Sequence, residues 1–562
     1  MPHQDQQGGL NGVQGILLAG FLLAAGWFAT VAPNPPAPVP DNAPPGQFSA
    51  MRALAHVRAI AQRSHPIGSP ANAAVRDYIS ARLRDLGLAV EHQSFPHQVG
   101  DREAGGVNVM ARIHGVSNSS HSLRALALVC HHDSVPTGPG ASDDGAAVAT
   151  LIETARALMA GPVLSNDVIL LFTDGEEEPG LAGARAFAEG CSWMNDVGCV
   201  FNFEARGVSG PVLMFETSAR NGPLIREFAK AAPRPVANSL MFEVYRRMPN
   251  DTDFSVFKDA KVPGLNFAFI GEPWHYHAPT DDVAHLSARS LQHEGSYALS
   301  LARHFGDLEL AQLHGRDAVY FDLFGRFLIH YPGAWAMPLA MLGALLFLGV
   351  VYWEMKRGES SPWMVLIGSL ASLAYVLIVG TVFRYGLNIA GLVLRGSPER
   401  LWHFAGWPYW FTAVGLTVAL SVAIHVALRR WVGAKNLALG ALAWWLIAAI
   451  VSAQWMPGAS YVSLWPLLFA LLGISTVSFN RRSPWVRFVC VAATSLPTMI
   501  LVVPLVQGFY VALGPQAMLV PMAVLALVMG ALSTALENVT ASWRRTSAYG
   551  CGANKPTHGR TN

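Results

Sequence analysis

Residues 125–159 read ALALVCHHDSVPTGPGASDDGAAVATLIETARALM. The first six are apolar without interruption, as in a strand buried on both faces, and the last fifteen read as a helix opening at Gly145. Between them runs a Gly/Pro-rich loop that carries His131, His132, Asp133, Asp143 and Asp144. The same alternation continues on either side. Val75, Tyr78, Ile79, Leu83 and Leu86 recur at helical spacing, and Gly87 makes a suitable stop. Downstream, Val168–Thr173, Val200–Phe203, Val212–Phe215 and Leu265–Ile270 read as further strands, with a helix-like stretch over Ala182–Ala188. Strands that are apolar throughout, alternating with helices, predict an α/β domain with a mainly parallel central sheet flanked by helices. In such sheets the functional crevice lies beyond the carboxyl ends of the strands.

Those ends repeat one kind of chemistry. The first strand runs into His131-His132-Asp133, and the second into Asp174-Gly175-Glu176-Glu177-Glu178. The third ends in Glu204-Ala205-Arg206, and the last in Trp274-His275-Tyr276-His277, with Asp281 four residues on. Imidazole and carboxylate without thiolate is the ligand set of a catalytic zinc site, and several carboxylates allow two metals roughly 3.5–4 Å apart. Each piece alone is ambiguous, since an Asp pair before a helix is usually a cap and a Glu triplet usually a solvated turn. Recurrence at four strand ends favours a metal centre.

The motifs HHD (131–133), GASDD (140–144), EEPGLAGA (177–184), NFEARG (202–207) and YHAPTD (276–281) together resemble the co-catalytic dizinc aminopeptidase family, of the aminopeptidase S and aminopeptidase Y type. HPIGSPAN (65–72) and PNDTDFSVF (249–257) resemble its membrane-bound branch, similar to vacuolar membrane proteases and the endoplasmic reticulum metallopeptidase. The resemblance spans about residues 48–306 and implies roles by position. His131 and Glu204 would bind one zinc, with Asp133 holding the His131 imidazole. Asp143 would bridge two Zn2+ per chain, its bond to Asp144 being cis. Glu178 and His277 would bind the second metal, and Glu177 would be the general base. Three glutamates stand where the family has two. Counting back from Gly180–Ala184 selects Glu177 as base and Glu178 as ligand, the preferred register; counting forward from Asp174-Gly175 selects Glu176 and Glu177. His131 is preferred to His132, and His277 to His275. Asp251 and Asp253 either line the cleft or hold a loop. The implied activity is hydrolysis of peptide substrates, as an aminopeptidase. The rivals are a mononuclear-zinc, glutaminyl-cyclase-like transferase, a non-catalytic membrane receptor or scaffold, and a transporter.

The rest of the chain is built for lipid. Of 562 residues 52% are apolar and only 14% charged, and after Asp322 the sole carboxylates are Glu354, Glu359, Glu399 and Glu537. A net charge of +2 advertises no nucleic-acid partner. Residues 1–33 read as an uncleaved anchor, 34–47 as a Pro-rich linker and 48–310 as the zinc peptidase domain. Residues 331–540 form a multi-span membrane domain of about seven helices, near 334–353, 363–383, 407–428, 436–455, 459–478, 485–506 and 515–536, and 541–562 a cytoplasmic tail. Lys356, Arg357, Arg429, Arg430, Lys435, Arg481, Arg482, Arg487, Arg544, Arg545, Lys555 and Arg560 fall on one side of that topology, against Arg384, Arg395 and Arg400 on the other. Basic loops mark the cytoplasm, so the peptidase domain is expected on the non-cytoplasmic face, a bacterial inner membrane facing the periplasm being favoured. Ionisable residues within the spans are scarce, His425 and Glu537 lying near helix ends, which disfavours a transporter. Cys191 and Cys199 are close enough in sequence for a disulfide, which spacing alone leaves open.

Overall fold

The structure, a computed structural model, describes residues 10–99, 102–116, 125–394, 398–479 and 483–552. Arg395, Arg481, Arg482, Lys555 and Arg560 lie outside them. The chain divides into two compact units, one of Met1–Ala32 with Trp335–Asn562 and one of Pro33–Ala334. The first unit opens with α1 (Gly12–Val31), whose Asn11 cap and Gln14 satisfy each other's amides in a capping box.

The second unit follows with α2 (Ala50–Ile60), α3 (Pro70–Asp85), β1 (Val90–Phe95), β2 (Gln98–Val99), β3 (Arg102–Glu103), β4 (Gly106–Ile113), β5 (Ala125–His131) and α4 (Gly145–Met159). Next come β6 (Asp167–Thr173), α5 (Ala182–Gly190), β7 (Val197–Ala205), β8 (Ser209–Thr217), α6 (Gly222–Ala231), α7 (Ser239–Tyr245), α8 (Asp253–Asp259), β9 (Gly264–Gly271), α9 (Ala288–Phe305) and a hairpin of β10 (Ala318–Leu323) and β11 (Phe327–Pro332). Seven strands form one sheet in the order β1-β4-β6-β5-β7-β9-β8. The four inner strands, β6, β5, β7 and β9, run parallel, and antiparallel strands complete both edges. The sheet is therefore parallel where the sequence shows uninterrupted apolar runs and mixed overall.

Why those runs are uninterrupted is visible residue by residue. In β5, Leu126, Leu128 and Cys130 join one core cluster while Ala125, Ala127 and Val129 join the other. In β6, Val168, Leu170 and Phe172 alternate in the same way with Ile169 and Leu171. Residues from α2, α3, α4 and α9 pack the first face, and residues from α5 and α8 the second. A strand covered on both sides has no polar face to show. Cys199 belongs to the first cluster and Cys191 packs against the second, and both thiols are free, so the bridge left open by the sequence is not formed.

Strand order reverses at β5, which pairs with β6 on one side and β7 on the other. That is the switch point at which open α/β sheets leave a crevice beyond the strand ends. His131 is the last residue of β5.

The first unit continues with α10 (Ala336–Lys356), α11 (Pro362–Leu394), α12 (Pro398–Val432), α13 (Ala434–Trp455), α14 (Ser460–Phe479), α15 (Pro484–Leu513), α16 (Leu519–Ala531) and α17 (Ser533–Gly552). Among the described residues seven helices, α1 among them, are long and apolar enough to cross a membrane, and an eighth span results if α16 and the start of α17 are joined. The run expected as one helix over 515–536 is bent by 68° at Leu532. In this unit Glu537 accepts from Arg429 at 2.9 Å, with His425 at 3.3 Å, and Lys435 meets Glu354 at 2.6 Å.

Candidate active site

Four strand ends deliver the site. His131, fully buried, closes β5, and its Nδ1 lies 3.0 Å from the Asp133 carbonyl oxygen and 3.4 Å from the Asp133 carboxylate. Its Nε2 faces Asp143 Oδ1 at 3.2 Å and Glu204 Oε2 at 3.5 Å. Glu204 comes from β7. His277 follows β9 and adopts a left-handed backbone (φ 57), which costs a non-glycine residue energy and is held by its surroundings. Its Nε2 lies 3.2 Å from Asp143 Oδ2 and 3.0 Å from Glu177 Oε2. One carboxylate, Asp143, thus turns an oxygen to each of two imidazoles.

The loop that presents Asp143 is tightly wound. Gly140 is left-handed (φ 63), and a Cβ there would fall 2.5 Å from the Asp143 carbonyl. The Asp143–Asp144 peptide is cis. Asp281 Oδ1 accepts the amide of Ser142 at 2.8 Å and Oδ2 that of Asp143 at 3.2 Å. Asp144 receives the amide of His131 at 3.3 Å, and with His131 and Glu204 its ligand atoms lie within 4.8 Å of one another. The HPIGSPAN segment braces the same loops, since the His65 amide donates to Ser134 Oγ (2.8 Å) and Asn72 to Asp174 (3.0 Å).

The Glu triplet is where structure and preferred register part. Both carboxylate oxygens of Asp133 accept backbone amides, Oδ1 from Glu176 (3.2 Å) and Oδ2 from Glu177 (3.3 Å). Those two residues are thereby fixed over the site, and Glu177 meets His277 and groups with His131 and Asp143. Glu178, expected as the ligand, joins neither group of gathered ligand atoms. Downstream of the triplet, Gly180 (φ 110) and Leu181 (φ 52) are both left-handed before α5 starts. Counting forward from Asp174-Gly175, the alternative register, selects the two glutamates whose amides Asp133 holds.

Other expectations resolve as follows. His132 is buried away from the cluster, 3.1 Å from the Val107 carbonyl. His275 packs its ring on His285. Asp251 is exposed and accepts from Ser255 (2.8 Å), whereas Asp253 is buried and hydrogen-bonded to Thr173. Asp144 and Tyr276 had drawn no role from the residue types alone, and Glu176 only in the alternative register. Tyr276 stacks on His277 at 3.7 Å between ring centroids.

This constellation asks for positive charge. The buried oxygens Asp143 Oδ2, Asp144 Oδ1 and Glu177 Oε1 receive no hydrogen bond. Burial alone would lower the His131 pKa, yet hydrogen bonds to Asp133, Asp143 and Glu204 outweigh it and hold the imidazole well above its usual value. His277 is likewise raised, against burial, to about 9 by Asp143 and Glu177. Glu177 is pushed up to about 7 by burial and by the charge of Asp143. Buried acids that draw protons onto their histidines, and still leave oxygens unsatisfied, are the donor set of a divalent cation site. Both a His131-Asp143-Glu204 pocket and a His277-Asp143-Glu177 pocket fit zinc by ligand type.

Fold and donor set together define a candidate divalent-metal centre at the strand ends of an α/β domain. Residues 108–302 match the family model described as Peptidase family M28. The chain is 28% identical over 48% of its length to endoplasmic reticulum metallopeptidase 1 of Homo sapiens, and 30% identical over 61% to a vacuolar membrane protease of Candida dubliniensis. It covers 32% and 38% of those two proteins, so it spans about a third of the length of the curated relatives it matches. Among solved structures, the zinc aminopeptidase BSAP of Bacillus subtilis aligns over 48% of this chain and 98% of its own, at 15% identity and a TM-score of 0.39.

Proposed function

We propose that the chain is a membrane-anchored dinuclear zinc metallopeptidase that removes amino-terminal residues from peptides on the non-cytoplasmic side of its membrane. The observation that carries this reading is the Asp143 carboxylate set between two imidazoles, each with its own flanking acid. One zinc would be held by His131, Asp143 and Glu204, the other by His277, Asp143 and Glu177. When bound, the zinc pair supplies Lewis acidity, which acidifies a water and polarises the scissile carbonyl.

The protein's own part is alignment and proton handling. Glu176 is the general base in this reading: its amide is locked onto Asp133, and it is near enough to Glu204 and His131 to feel their charge. Its carboxylate takes the proton of the attacking water and returns it to the leaving amine. Asp133 steadies His131, while Asp281 fixes the backbone that presents the bridging carboxylate. The surplus of carboxylates suits a substrate with a free α-amino group. A single metal would need only one of the two imidazole–acid pairs, and the presence of both favours the two-metal reading over the cyclase rival. The one-sided placement of basic loop residues supports the orientation.

The test uses the full chain in detergent with zinc, offered peptides with free and with acetylated amino ends and one beginning with glutamine. Stepwise release of amino-terminal residues from the free peptides alone is expected. Cyclisation of the glutamine peptide without cleavage, or equal attack on blocked peptides, would overturn the reading.

A further inference from the structure

Arg206 has no part in the hydrolysis described above, yet it stands beside the site with its charge unanswered. It lies two residues beyond Glu204, where β7 ends, and its side chain is exposed. Its amide donates to the Phe269 carbonyl at 3.0 Å, and that of Val208 to Gly271 at 2.9 Å. The base of the side chain is thus clamped to the strand leading to Tyr276. Gly207 permits the clamp, since a Cβ there would lie 2.3 Å from the Gly271 oxygen. The guanidinium carbon sits over the Tyr276 ring, 6.0 Å from its centroid, and that ring stacks on His277. Taken end to end, the two ring distances place the guanidinium within about 10 Å of the His277 imidazole. Among the described residues no carboxylate pairs with Arg206, although buried acids crowd the pocket behind it.

We infer that Arg206 is a specificity residue that receives the free α-carboxylate of short peptides, making dipeptides and tripeptides the preferred substrates; this rests on the peptidase reading. A guanidinium seated on an aromatic face keeps its N–H edges free and matches a carboxylate bidentately. Peptide backbone advances about 3.3–3.6 Å per residue. A carboxylate one or two residues beyond the scissile bond therefore falls within reach of Arg206, and longer chains carry theirs past it. Without this cation the acidic pocket would repel such a terminus.

The experiment compares Leu-Gly, its amide, and the amide of Leu-Glu on the full zinc-loaded chain, each on one preparation so that partial misfolding cancels in the ratio. The free acid should exceed its amide about tenfold in kcat/KM, chiefly through KM, as one charge-assisted contact at an exposed site gives. The advantage should shrink with added salt, vanish in Arg206→Ala and survive in part in Arg206→Lys. A wild-type ratio near one, or an unchanged ratio in Arg206→Ala, overturns the assignment and leaves the peptidase reading intact. So does selection of the Leu-Glu amide over the Leu-Gly acid, which would make a side-chain carboxylate the ligand. Cleavage of none of the three overturns the peptidase reading as well.

Discussion

Over Asp133 the chain turns with the amides of Glu176 and Glu177 bound to opposite carboxylate oxygens, and Glu178 is left beyond that grip. Three neighbouring glutamates therefore make separable predictions. Glu176→Gln should lower kcat by about 10²–10⁴-fold, the span of general-base catalysis, while metal content is retained. Glu177→Gln should lose metal together with activity, and Glu178→Gln should stay within about twofold of wild type. Asp281→Asn, which weakens the cradle beneath Asp143, should loosen zinc by about 10–100-fold when titrated against a competing chelator. Most of this site was legible as residue types at strand ends: His131, Asp143, Glu204 and His277 come together as their positions implied. Which of the three glutamates lie nearest the imidazoles was not legible, because the path out of the triplet runs through two left-handed residues, Gly180 and Leu181, whose conformation leaves no composition signal when one of them is leucine.

At the level of elements, the inner strands announced themselves because both faces are covered, and Gly145–Met159 occupies the helix read from its sequence. The edge strand β1, VEHQSF, did not, since it is largely solvated and its apolar positions are too few for a pattern. The bend at Leu532 was hidden for the opposite reason: α16 is so apolar that the averaged hydropathy carries on past the break, although α17 opens on Ser533 and Thr534. One buried contact between α9 and β8 carries a pH dependence. His293 Nδ1 accepts the Val212 amide at 3.1 Å, and Nε2 faces the Arg234 carbonyl at 3.0 Å, a pairing that requires the neutral ring. Burial lowers its pKa to about 4. The unfolded chain, titrating near 6.5, then binds the proton that the folded one refuses, so this contribution is full above pH ~6.5 and is lost as pH falls towards ~4. The loss is on the order of 3 kcal/mol at the acid end. Thermal unfolding between pH 7 and 4 should show a shallower decline in His293→Gln than in wild type; parallel curves would contradict this.

The molecule as a whole joins a domain dense in buried acids to a helical unit with few carboxylates, of which Glu354, Glu359 and Glu537 pair with cations. Composition alone separated the two, because carboxylates crowd the first 330 residues and nearly vanish thereafter. The proposed orientation rests on the basic loops, and under it a carboxyl-terminal tag should resist added protease in sealed vesicles whose peptidase domain is accessible. The account stands most directly on counting zinc bound to the purified full chain. About two ions per chain are expected in wild type and in Glu176→Gln, and fewer than one in Asp143→Ala, whose missing carboxylate serves both positions. One ion or none in the wild type, or full loading of Asp143→Ala, would contradict it.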